Sequence, residues 1–151
     1  MRRKERECRD ATFFQQVFQR SEVITLAFHD DEYPYSVAMS FVELNGALYM
    51  HCAREGHKLD CIRRNPHVHF TLHDYIGVDR EAATVRYHSL AGTGIAELVQ
   101  DTEEKQMALA ALAHKYRSHC TLPVPAAMLN ATAVIKISIT NMTGKKNEAT
   151  D

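Results

Sequence analysis

Apolar side chains recur along this chain in two periods, and the switches between them mark out its elements. Phe14, Val17 and Phe18 recur at helical spacing after Asp10, a residue placed to cap the helix they predict. From residue 22 the period becomes two. Ile24, Leu26 and Phe28 share one face of EVITLAF, and Tyr35, Val37, Met39 and Phe41 share one face of YSVAMSF, with the turn-forming HDDEYP between the runs. ALYMHCA follows Asn45-Gly46, a strong hairpin signal because a type I′ turn needs positive φ at both central residues. These runs predict a three-strand antiparallel meander.

HKLDCIRR predicts a short helix with Leu59 and Ile62 inward, stopped at Asn65-Pro66 because the residue before proline is pushed out of the helical region. HVHFTLH then reads as a strand with His67, His69 and His73 on one face and Val68, Phe70 and Leu72 on the other. After a loop containing Gly77-Val78-Asp79, TVRYHSLAGTGIAELV predicts a long strand bent or bulged at Gly92 and Gly94. Asp101 and Glu104 resemble a capping box, opening a helix along Leu109, Leu112, Ala113 and Tyr116. LPVP interrupts the chain, TAVIKISIT alternates as a last strand ending at Asn-Met-Thr-Gly, and GKKNEATD reads as a frayed tail.

Six or seven antiparallel strands with glycine bends and only short flanking helices predict a mainly β (α+β) small barrel rather than a layered parallel sheet. No repeat or linker divides the chain, so a single domain over 1–151 is expected, with flexible ends at about 1–9 and 145–151.

Composition narrows the partners. The 151 residues, 45% hydrophobic and 25% charged, suffice for a core without metal or disulfide, and no apolar run approaches the about 20 residues of a membrane span. A net charge of -1 lacks the basic footprint of a nucleic-acid domain. The basic start MRRKERECRD carries acids and leads into no apolar h-region, unlike a targeting peptide. Cys8, Cys52, Cys61 and Cys120 show no CxxC spacing, which predicts free thiols and a cytoplasmic setting.

Candidate chemistry gathers in HCAREGHKLDCIRRNP, residues 51–66. As a metal site it would use His51, Cys52, His57 and Cys61, but His51 and Cys52 are neighbours on a strand and point to opposite faces, so at most three could converge. His67 and His69, two apart on one strand face, are a second metal candidate, against the commoner reading of a polar face meeting solvent or a subunit. The segment makes better sense as a phosphate cradle. A strand, Arg54-Glu55-Gly56, and a helix opening at His57-Lys58 would present free backbone N–H groups, the positive end of a helix dipole and cationic side chains to one anion.

PYSVAMSF, GALYMHCAREGHK and IRRNP together resemble the FMN-binding split-barrel proteins of the pyridoxamine 5′-phosphate oxidase-like superfamily, nearest the nitroimidazole-reductase (nitroimidazole-resistance) branch. The likeness extends to the MRRKER opening, to YHSLAGTGIAE and to the closing MTGKK. It implies a split β-barrel of six or seven antiparallel strands and a homodimer with a flavin mononucleotide in each cleft between the barrels. By the same likeness, Val37, Ala38, Met39 and Ser40 would offer backbone groups to the isoalloxazine edge. His51, Cys52 and Ala53 would line the ring and ribityl chain, Gly56, His57 and Lys58 would hold the phosphate, and Ser89 would add a contact. Ala38 and Cys52 stand where the branch commonly has proline and serine.

The activity implied is FMN-dependent reduction of a small acceptor such as a nitroaromatic, with a reduced nicotinamide as a possible donor and no obligatory catalytic side chain. A barrel that binds flavin, deazaflavin or haem without turnover is the alternative. The chain lacks the arginine-rich C-terminal segment of pyridoxamine phosphate oxidase itself, which argues against vitamin B6 oxidation.

Overall fold

The structure is a computed structural model and describes residues 3–116 and 123–148; Cys120 lies outside them. After a 3-10 turn at Lys4–Arg6 come β1 (Glu7–Cys8), α1 (Ala11–Arg20), β2 (Ile24–Phe28), β3 (Tyr35–Met39), β4 (Val42–Leu44) and β5 (Ala47–Ala53). Then follow α2 (His57–Arg64), β6 (His67–Asp79), β7 (Thr84–Leu98), α3 (Thr102–Tyr116), α4 (Ala126–Ala131) and β8 (Thr132–Asn147). Asp10 caps α1 as expected, its Oδ1 accepting the N–H of Phe13 at 2.9 Å, and Phe13 joins Val17 and Phe18 on the buried face while Phe14 is half-buried.

The strands form one antiparallel sheet in the order β3-β2-β6-β7-β8-β5-β4, with β1 added to β8. The predicted meander is therefore corrected. Among the described residues β3 pairs only with β2, while β5 pairs with β4 and β8. Strand periodicity fixes which face a side chain takes but not which strand lies beside it. β3 and β4 stand at opposite ends of the order yet are separated in sequence only by Ser40 and Phe41, so the sheet curls until its two ends meet through that bend. This is a small antiparallel barrel, as the strand pattern predicts, and of the split kind that the family resemblance implies.

Asn45 and Gly46 have φ of 52° and 82°, as the type I′ reading of the β4–β5 turn requires. At Gly92 an added Cβ would stand 2.5 Å from the Asn141 carbonyl oxygen and from Phe70 Cζ, so glycine lets β7 pass close over β8 and the barrel core. The register shifts between Thr93 and Gly94, the bulge expected there.

Two further expectations change. Gly77-Val78-Asp79 lies inside β6, which runs past the barrel and turns at residues 80–83, and the supposed frayed tail stays in β8 through Asn147, paired to β7. In both stretches strand pairing overrides weak local propensity.

The barrel interior is filled by Ile24, Leu26, Phe41, Leu48, Phe70 and Ile135, all essentially inaccessible. A smaller cluster lies under α3, where Tyr49, Val42 and Val134 meet Leu109 and Leu112. β5 is thus covered on both faces from Ala47 to Met50, and it emerges into solvent at His51.

Candidate functional site

Where β5 emerges, the chain turns through Arg54-Glu55 and enters α2 at Gly56. Gly56 has φ 136° and ψ 161°, a region open essentially to glycine, and nothing lies within 4 Å of where its Cβ would be. No side chain among the described residues caps α2. The Gly56 carbonyl accepts from Leu59 and Asp60, while the N–H groups of His57 and Lys58 have no partner among the described residues. A helix start with free donors, open space and a lysine is suited to an anion. Hydrophobic burial of Leu59, Cys61 and Ile62 anchors the helix behind this opening.

His51 and Ala53 are exposed on one face of β5, and Cys52, on the other, is half-buried against the barrel core. Burial pushes the Cys52 thiol above its ordinary value, opposed by the charge of nearby Lys58. This neighbour relation puts the end of β5 beside the α2 opening. Arg54 does not face the cradle: its guanidinium donates to the carbonyl of Asn130 in α4 at 3.1 Å.

β3 supplies a different resource. Among the described residues it pairs with β2 along one edge only, so its other edge carries main-chain groups with no strand partner there. Val37 is half-buried, Ala38 and Ser40 are exposed, and Met39 is turned into the core, leaving its backbone as what it can offer a ligand.

Asp30, in the β2–β3 loop, belongs to no motif of the sequence. Its Oδ2 lies 2.6 Å from His57 Nε2 and its Oδ1 accepts from Arg64 at 2.8 Å, while Asp31 takes a second Arg64 donor at 2.9 Å. These partners, His57 first, hold the Asp30 carboxyl down at about 2. The available signal was complementary charge, the acids of HDDE against the histidine and arginines of HKLDCIRR.

Of the metal candidates, His57 and Cys61 do approach one another, with Sγ 3.7 Å from Nε2, and the third group near them is Asp30 rather than His51 or Cys52. The three ligand atoms lie within 4.8 Å of one another, and the Arg64 guanidinium donates to both Asp30 and Cys61. A cation already occupies that cluster. His67, His69 and His73 are exposed on β6 as predicted, and among the described residues they join no three-ligand group. His67 and His69 instead line a cavity of about 530 Å³ with Asp30, Tyr33, Thr93 and Thr140. Gly56, Lys58 and His51 are not part of it.

Ser89 is set apart. Leu98 of β7 and His51 of β5 meet adjacent residues of β8, Ile135 and Val134, whereas Ser89 pairs with Lys145. At about 3.3 Å per residue this places Ser89 about 30 Å along β7 from the level of His51. It lines a shallow hollow with His73, Tyr75, Val85 and Tyr87.

Residues 11–146 match the family described as pyridoxamine 5′-phosphate oxidase. No curated protein matches the chain. Among solved structures, a candidate 5-nitroimidazole antibiotic resistance protein from Bacteroides thetaiotaomicron is 26% identical, over 92% of this chain and 85% of that one, with a TM-score of 0.80. A flavocytochrome from Azotobacter vinelandii (17% identity, 99% and 72% covered, TM-score 0.85) shares the fold. So does an FAD and haem binding protein from Mycobacterium smegmatis (16%, 95% and 74%, 0.81).

Proposed function

We propose that this chain, which belongs to the pyridoxamine 5′-phosphate oxidase family by its match over residues 11–146, is an FMN-dependent oxidoreductase. The observation that carries this reading is the opening of α2. Gly56 holds a backbone conformation that leaves space in front of the free N–H groups of His57 and Lys58, which suits the dianionic phosphate of FMN. Lys58 adds charge there, the His51 side chain and the Cys52 backbone line the way along β5, and the open edge of β3 from Val37 to Ser40 meets the polar edge of the ring. The bound flavin supplies the electron transfer, and the chain binds it, orients it and limits water around it.

The proposed acceptor is a small nitroaromatic of nitroimidazole type, supported by the 26% identity to the Bacteroides thetaiotaomicron protein over most of both chains. A reduced nicotinamide is the proposed donor, and the free thiols Cys8, Cys52 and Cys61 suit a cytoplasmic setting. A second copy completes the site. The position of Ser89, far along β7 from the cradle, fits a contact to the flavin of a partner barrel, and the exposed Tyr75, Ile76 and Val78 beyond the barrel give such a partner an apolar surface.

Anaerobic turnover of the FMN-loaded protein with nicotinamide donors and a panel of nitroaromatics tests this reading. Loss of the nitro absorbance in proportion to donor oxidised is expected. Bound flavin with no turnover of any acceptor would identify a silent flavin binder instead.

A further inference from the structure

We propose that Asp30 is a positioning residue for the cofactor phosphate, and that the His57 side chain serves as its anchor on α2 rather than as a phosphate ligand. The proposal rests on phosphate binding at the α2 opening. His57 and Arg64 stand in the first and last turns of α2, and Asp30 grips both, with Oδ2 at 2.6 Å from His57 Nε2 and Oδ1 at 2.8 Å from Arg64. One carboxylate therefore gathers the side chains of the first and last residues of the helix.

The other groups around the imidazole complete the clamp. The Tyr35 ring meets it edge-on at 4.8 Å between centroids, Cys61 Sγ lies 3.7 Å from Nε2, and Arg64 joins Cys61 to Asp30. Tyr35 begins β3 and also stacks on Phe28 of β2, so the contact ties α2 to the strand whose free edge faces the flavin ring. The clamp thus sets the separation between the phosphate end and the ring end of the site. With Nε2 committed to Asp30, His57 offers the phosphate its backbone N–H, as Lys58 does.

The test is a titration of the wild-type protein and of Asp30→Asn, His57→Phe, the double variant and Asp30→Glu with FMN and with riboflavin, read by flavin fluorescence. The His57→Phe ring keeps the packing against Tyr35 while losing the nitrogen. Wild type is expected to favour FMN. Each single variant should lose about tenfold in FMN affinity with riboflavin changed less than about twofold, and the double variant should be no worse than the poorer single, as for residues acting through one contact. Asp30→Glu should recover part of the loss.

Equal losses for FMN and riboflavin would overturn the proposal in favour of general damage to the fold. A gain in FMN affinity for Asp30→Asn would overturn it by making Asp30 a competitor of the phosphate, and additive losses would do so by making His57 an independent ligand. Wild type that binds riboflavin as well as FMN would remove the phosphate site and the clamp together. Wild type that favours FMN alongside variants that keep the full preference would remove the clamp alone.

Discussion

Tyr116, at the end of α3, reaches across the fold to Phe41. Its hydroxyl accepts the Phe41 N–H at 3.0 Å and donates to the carbonyl of Glu22 at 2.7 Å, while the neighbouring Lys115 Nζ lies 3.6 Å from the centre of the Phe41 ring. Phe41 is fully buried in the bend that joins the two ends of the curled sheet. The last turn of α3 therefore pins the point where the barrel closes, one residue beyond the β3 edge proposed to meet the flavin.

Tyr116→Phe keeps the ring and leaves the buried Phe41 N–H without its acceptor. A loss of about 1–3 kcal/mol is expected in urea unfolding, the cost of an unsatisfied buried donor. An unchanged midpoint would mean that the bend holds without this bond.

The glycines of the sheet divide by what surrounds them. Gly92→Ala would drive a methyl group into the Asn141 carbonyl and the Phe70 ring, and Gly94→Ala into Ile137 and the Ser138 carbonyl, so each should cost about 1–3 kcal/mol by overpacking. Gly77→Ala meets nothing within 4 Å and should stay within about 0.5 kcal/mol of wild type. Equilibrium unfolding of the three variants checks the contrast.

Gly56→Ala isolates backbone conformation from crowding, since no atom stands in the way of the new methyl group. With φ at 136°, alanine should either cost about 1–3 kcal/mol or turn the helix start away. Turning the helix start away also lowers FMN affinity. Retained FMN affinity with unchanged stability would contradict the role given to this glycine.

The Asp30 carboxyl, held at about 2 in the folded chain against an ordinary 3.8, fixes the sign of one pH effect. A depressed carboxylate contributes its full stabilisation above about 4 and loses it as pH falls from there towards about 2. Carboxyl-detected NMR should find Asp30 titrating near the lower value, with the His57 and Arg64 contacts released in the same interval. Titration near 3.8 would mean that the clamp is open in solution.

Much of the fold was legible because the physics that sets it is local. The Asn45-Gly46 turn, the Asp10 cap and the Asp101–Glu104 box, where Asp101 Oδ1 accepts the Glu104 N–H at 2.7 Å, all rest on residues within a few positions of one another. The alternation of β6 likewise separates the exposed His67 and His69 from the buried Val68 and Phe70. What the sequence concealed was long-range. YSVAMSF reads as one alternating run through Phe41, yet the strand ends at Met39 and Ser40-Phe41 form the bend between the two ends of the sheet, held by a Tyr116 hydroxyl 75 residues away. At the site, Gly56 and Lys58 could be found from their spacing, whereas Asp30 becomes visible only when the β2–β3 loop is laid against α2.

Whether the α2 opening takes the phosphate of a flavin mononucleotide is tested by FMN binding to the purified protein, followed by visible absorption and fluorescence quenching with riboflavin as the control. A yellow protein is expected that holds one FMN per chain and binds it at least about tenfold more tightly than riboflavin, the difference belonging to the phosphate. A colourless protein that takes up no added FMN would contradict it.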